Sequence, residues 1–328
     1  MRIAIALLLS ALTPFASATS ADDLARRIGN SDGWVSWRVS RAPDAGDACC
    51  QTLDGNVVTH RGCDLDGRQW NIGTAPGATG DAAGLVVYAH LRSGVVDKIR
   101  AYSATCPVRS SEALRRIEDV DPAASVGWLA AQLRSSSAAK DHDDDEAIAA
   151  LAFHAVPAAM NALQDLAAAG RPQEQRKTVL FWMGQARGVA GVEVVGRYAQ
   201  EDTDPDIRQH AVFVMSQAAA HNTYPRILAI ARTDHSAEVR GQSLFWLAQM
   251  KDKRARADIT EALRREQDSE VREQAVFALS QLHGAEADQA LIALIRGDFP
   301  REVKQKAVFW LGQSGSDTAI AFLDDVLR

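Results

Sequence analysis

Beyond its first two dozen residues the chain has no apolar run approaching the roughly 20 residues that cross a bilayer as a helix, which excludes an internal membrane span. It also lacks an excess of cations: 36 Lys and Arg stand against 42 Asp and Glu, a formal charge of −6, and the basic residues are scattered among acids. Nucleic acid and anionic membrane surfaces both require a concentrated Lys/Arg face, so neither is expected as a partner. HExxH, GxSxG, Walker A and the dinucleotide glycine fingerprint are all missing, and the eight histidines are dispersed. Ser137-Ala138-Ala139-Lys140 has the SxxK spacing but no SDN or KTG companion. The acidic run Asp141–Glu146 cannot turn consecutive side chains onto one cation, and it reads as a solvated helix start whose carboxylates complement the N-terminal dipole. No catalytic, cofactor-binding or metal-binding residue is therefore assigned.

Cysteine is scarce and confined: Cys49, Cys50, Cys63 and Cys106 are the only four. The N-terminus begins with Arg2, an apolar run Ile3–Leu12 and small residues Ala16 and Ala18, the pattern of a secretory signal peptide covering residues 1–18, or to 21. In an exported chain an even, clustered set of cysteines implies disulfides, and the expected location is periplasmic or secreted, with no membrane insertion after signal removal. A bond between adjacent Cys49 and Cys50 would strain the peptide, so each is expected to pair with Cys63 or Cys106, in either crossing. Four thiols could also hold zinc, but the paired CxxC knuckles of zinc sites are absent.

Residues 22–120 read as a small disulfide-bonded α+β domain. A short helix over 21–28 stops at Gly29-Asn30, Trp34 and Trp37 fall on opposite faces of a strand, and Ser93-Gly94 marks a hairpin turn. Residues 121–145 read as a connecting helix, with Trp128 and Leu129 docking between the halves, followed by an acidic linker.

The second half is governed by a period. Phe181, Phe213, Phe245, Phe277 and Phe309 are spaced by 32 residues, as are Gln185, Gln217, Gln249, Gln281 and Gln313. Each copy, such as VREQAVFALSQ at 271–281, is followed by a second amphipathic stretch, so one unit is a helical pair that needs its neighbours to bury its apolar face. Ala147–His154 is a degenerate copy in register, making five copies plus one. The triplets Glu238-Val239-Arg240, Glu270-Val271-Arg272 and Glu302-Val303-Lys304, each leading into small and large apolar positions, resemble the short bacterial HEAT-like repeats of the phycobilisome-lyase type over residues 146–328. That resemblance implies a mainly α, right-handed solenoid of helical pairs used as a protein-interaction scaffold; lyase activity is not implied, because only the repeat matches.

A wheel at about 100° per residue puts Val271, Ala275, Ala278, Leu279 and Leu282 on the core face and Phe277 about 150° away, with Gln281 on its flank. The Phe/Gln ladder is accordingly expected either to fix the stacking of the repeats or to line a groove for an extended peptide. Trp182, Val214, Trp246, Ala278 and Trp310 fall on the core side, and Arg176, Arg208, Arg240, Arg272 and Lys304 are expected to form a solvated or inter-repeat ion-pair network with Glu174, Asp206, Glu238, Glu270 and Glu302. The leading expectation is an exported, non-catalytic scaffold gripping a protein or peptide along its concave face. A head with Cys49/Cys50 redox activity presented by the solenoid is the alternative, and self-association through an uncovered Phe322 is a further possibility.

Overall fold

A computed structural model describes residues 21–54, 57–60, 62–67, 72–75, 84–135 and 141–327. The signal-peptide segment up to residue 20 and the run 137–140 lie outside them. Helix α1 (Ala21–Ile28) carries Asp22 and Asp23 in its first turn and Arg26 and Arg27 in its last, as the helix dipole favours, and buries Leu24 and Ile28. Gly29, at φ 67°, ends it. The central sheet has the order β7-β6-β1-β9 (β1 Gly33–Ser40, β6 Gly84–Arg92, β7 Val95–Ser103, β9 Leu114–Ile117). β1 runs antiparallel to β6 and parallel to β9. Ser93 and Gly94, at φ 53° and 75°, supply the two left-handed residues that a tight β6–β7 hairpin requires. Strand β2 (Asp47–Asp54) pairs with β3 (Val57–His60) and β5 (Ile72–Ala75), and β4 (Cys63–Asp64) pairs with β8 (Val108–Arg109).

The disulfides are Cys49–Cys106 and Cys50–Cys63. The alternation of β1 explains how they are packed: Trp34 joins Cys49, Cys50, Cys63, Leu65, Tyr88 and Tyr102 in one buried cluster, while Trp37 points into the main core.

That main core runs without interruption from Leu24 to Phe322. Helix α2 (Pro122–Ser135) lies inside it: Trp128 meets Trp37 edge to face at 5.3 Å, and Leu129 is fully buried. The acidic run opens α3 (Asp141–Phe153), which packs on β7 and pairs Glu146 with Arg100 at 2.6 Å. Backbone bonds from Ala42 to the Phe153 carbonyl (2.7 Å) and from Ala155 to the Ser40 carbonyl (3.0 Å) sew the end of β1 to the end of α3.

Helices α3 and α4 (Pro157–Ala167) form the degenerate first pair. The pairs α5/α6 (Gln173–Ala186, Gly188–Glu201), α7/α8 (Pro205–Gln217, Tyr224–Thr233), α9/α10 (Ala237–Gln249, Ala255–Arg265), α11/α12 (Ser269–Ser280, Ala285–Arg296) and α13/α14 (Arg301–Ser314, Asp317–Leu327) follow. Val271, Ala275, Ala278, Leu279 and Leu282 are buried, as the wheel requires. Asp204, Ser236 and Asp268 each cap the next motif helix by accepting a backbone N–H, and Pro172 and Pro300 take that position in the other two. The molecule is a mainly α solenoid with a small α+β domain docked on its first pair.

Candidate binding surface

Along the stack each motif helix lies against the next, from α3 through α5, α7, α9 and α11 to α13, whereas the helices behind them scarcely meet. The more closely packed row is the inner row of a curved stack. On this row Phe181, Phe213, Phe245 and Phe277 are half-buried and Phe309 is 54% exposed.

The residue that follows each Phe decides what that ring touches. Where it is Trp, the Phe of the preceding repeat leans on the indole: Phe213 on Trp246 at 5.0 Å and Phe277 on Trp310 at 4.9 Å. Where it is Ala278, the small side chain lets Phe245 stack directly on Phe277, at 5.9 Å and 4° between planes. Within a repeat Phe245 and Phe309 sit on their own Trp at 5.0 and 5.1 Å. Six rings therefore form one ribbon: Phe213, Trp246, Phe245, Phe277, Trp310 and Phe309. Phe153, Trp182 and Phe181 make a shorter run of their own, at 5.6 and 5.4 Å. Trp182 is buried, as its core-side position implies, but Trp246 and Trp310 are half-buried members of the ribbon. The alternation of Trp, Val, Trp, Ala and Trp after the Phe was the signal for this.

The glutamines are not bonded to one another among the described residues. Gln217 and Gln281 donate to their own neighbours Ser216 (3.3 Å) and Ser280 (3.1 Å), which in turn donate to the Phe213 and Phe277 carbonyls. Most amide capacity on this face is therefore open. In the ribbon Trp246 Nε1, and beside it His210 Nε2, are buried and lack a hydrogen-bond partner among the described residues. An unmet buried polar atom costs about 1–3 kcal/mol, so these two are not explained by repeat packing.

Arg176, Arg208 and Arg240 turn away from this face. Arg208 holds Asp234 through two bonds (2.8 and 2.9 Å) and the Asp202 carbonyl (2.9 Å), and Arg240 likewise holds Glu266 (2.8 and 3.1 Å) and the Asp234 carbonyl (2.9 Å). Arg176 pairs with Asp202. Burial pushes the Asp234 and Glu266 carboxyls up, but the arginine bonds prevail and leave both below their ordinary values. The expected network is thus corrected for these three arginines, whose partners are acids 26 residues further on, while Arg272 and Glu302 do pair between repeats. Residues two apart on a helix diverge by about 200°, so Glu174, Asp206, Glu238, Glu270 and Glu302 face solvent while Arg176, Arg208 and Arg240 face the interior; Arg272 instead reaches Glu302 of the next repeat at 3.0 Å.

His154, in the degenerate first copy, is not a surface residue. It is fully buried where α3 meets the head, its Nδ1–H donating to the Ala150 carbonyl (2.7 Å) and its Nε2 accepting from Ser125 Oγ (2.8 Å), which accepts from Trp37 Nε1 (2.8 Å). Burial holds its pKa down to about 4, against the Ala150 bond. Phe322, expected to be uncovered, is buried beneath Arg296, whose guanidinium lies 5.0 Å from the ring centre. The sulfurs of Cys49, Cys63 and Cys106 crowd within 4.8 Å of one another. All four cysteines are bonded in disulfides, and a disulfide sulfur is neither a thiolate ligand nor a thiolate nucleophile.

Residues 224–312 match the family model of HEAT repeats. Among solved structures, the complex of CpcE and CpcF of phycocyanin lyase from Nostoc sp. PCC7120 is 15% identical, over 47% of this chain and 98% of that one, at a TM-score of 0.36. YibA of Escherichia coli is 19% identical over 62% and 75%, at 0.36, and human deoxyhypusine hydroxylase in complex with glycerol is 14% identical over 62% and 77%, at 0.26. Overlaps of this extent carry no argument about activity. No curated protein matches the sequence. The matched segment 224–312 carries HEAT repeats, and the 32-residue helical pairs continue on both sides of it.

Proposed function

We propose that the chain is an exported, non-catalytic scaffold that holds a protein or peptide segment along the inner face of its repeats. The observation that carries this reading is the six-ring ribbon, kept half-buried rather than sealed and bordered by glutamines that leave most of their bonding capacity unused. Aromatic rings flanked by amides suit an extended segment: the rings supply contact area at low entropic cost and the amides meet backbone groups. Export is supported by the N-terminal leader pattern and by a head whose two disulfides need an oxidising compartment to form. No helix among the described residues is long and apolar enough to cross a membrane.

The test is quantitative recovery of bound polypeptide by the full chain against a variant carrying Phe213→Ala, Phe245→Ala and Phe277→Ala, with circular dichroism verifying the fold. Recovery at least about tenfold lower is expected, as for the loss of a central hot spot. Equal recovery by the folded variant contradicts the proposal.

A further inference from the structure

We infer that the segment held along the ribbon is cationic, with a Lys or Arg at about every third residue. This deepens the function proposed above and rests on it. In sequence each repeat looks neutral, because an acid and an arginine stand two positions apart. In the structure those charges part company. Arg176, Arg208 and Arg240 are directed inward and neutralised by Asp202, Asp234 and Glu266, so they do not offset the acids left outside.

Those acids share the face of the ribbon. Seven residues separate each from the Phe of its repeat, as Glu270 is separated from Phe277, which places it two turns away and within about 20° of the ring. Glu174, Asp206, Glu238, Glu270 and Glu302 are all exposed, forming a carboxylate row along one rim of the ribbon. Surface groups touch some of them: Lys177 with Glu174 (3.0 Å), Arg272 with Glu302 (3.0 Å), Gln173 with Asp206 (3.0 Å) and Gln209 with Glu238 (3.4 Å). Glu273, paired with Lys306 at 2.7 Å, adds a sixth acid to the same face. Six carboxylates against three cations, Lys177, Arg272 and Lys306, leave the platform net negative. An aromatic platform with a negative rim is complementary to apolar side chains interspersed with cations, and it repels an acidic chain or a nucleic acid.

Spacing sets the period. Packed helices lie about 8–10 Å apart, and an extended chain advances about 3.3 Å per residue, so successive rim acids are met roughly every third residue.

The test uses three fluorescent 15-residue peptides made of Lys-Phe-Ser, Gln-Phe-Ser or Glu-Phe-Ser repeats, titrated with the full chain at low and high salt. The inference predicts that the Lys peptide binds at least about tenfold tighter than the Gln peptide at low salt and that the Glu peptide binds weakest. High salt, or the five exposed substitutions Glu174→Gln, Asp206→Asn, Glu238→Gln, Glu270→Gln and Glu302→Gln together, removes most of that preference. Equal binding of the Lys and Gln peptides, a preference untouched by the five substitutions, or no binding of any peptide overturns the inference. The ladder itself fails separately if Phe213→Ala, Phe245→Ala and Phe277→Ala leave the Lys peptide's affinity unchanged.

Discussion

Arg208 leaves only 1% of its surface to solvent and gathers the Asp234 carboxylate and the Asp202 carbonyl around one guanidinium. Removing it strands a buried carboxylate, so Arg208→Ala is expected to lower stability by about 3–5 kcal/mol in urea unfolding. Arg272, whose carboxylate partner Glu302 is half exposed, should cost roughly 1 kcal/mol on the same change. Equal losses would mean that burial does not set the strength of the ladder. His154 gives a pH dependence of definite sign. Its pKa is about 4 in the fold and 6.5 for the free side chain, so below pH 6.5 the unfolded chain takes up the proton that the native chain refuses. Its contribution is complete above pH 6.5 and is lost as pH falls towards 4, reaching roughly 3 kcal/mol. Over this range the stability of wild type should fall more steeply than that of His154→Gln; parallel curves would contradict the burial of a neutral imidazole. The arginine column was plain in the sequence, but its partners were not. Arg208 and Asp234 are 26 residues apart and meet only because the intervening helix pair folds back.

At the scale of the helix, the 32-residue period and the wheel around Val271 and Leu279 were enough to place the elements and their buried faces. The ring ribbon was legible only in part. The Phe column was visible, but a wheel treats one helix alone, and whether Trp246 fills a core or leans on Phe213 depends on the neighbouring helix. Two substitutions probe how the elements meet. Gly191 sits where a Cβ would run into the Met183 carbonyl, a backbone atom that cannot swing aside. Gly191→Ala should therefore separate α5 from α6 and cost about 1–3 kcal/mol in thermal unfolding, and a neutral result would show that the two helices have slack. Ser236 accepts the Val239 N–H at the start of α9, so Ser236→Ala should cost about 1 kcal/mol, read by the same melt, while Ser236→Asp should retain most of the cap.

Over the whole molecule, the head and the stack share one core, joined through Trp37, Trp128 and the bonds between Ser40, Ala42, Phe153 and Ala155. The acidic run near 141–146 read in the sequence as linker or helix start, and it opens α3, with Asp145 and Glu146 reaching Trp182 and Arg100. Head and first repeats should consequently melt together in calorimetry, and Cys50→Ser with Cys63→Ser should lower that shared transition by about 2–4 kcal/mol rather than release the head alone. What the stack does for its partner turns on which face the partner touches. The most direct measurement places a photo-crosslinking residue at Gln281, on the ribbon's edge in the inner row, or at Gln289, exposed on α12 in the outer row. Crosslinks to a bound polypeptide from position 281 and not from 289 are the predicted result. Crosslinks from 289 with none from 281 would place the partner on the outer row and contradict the account.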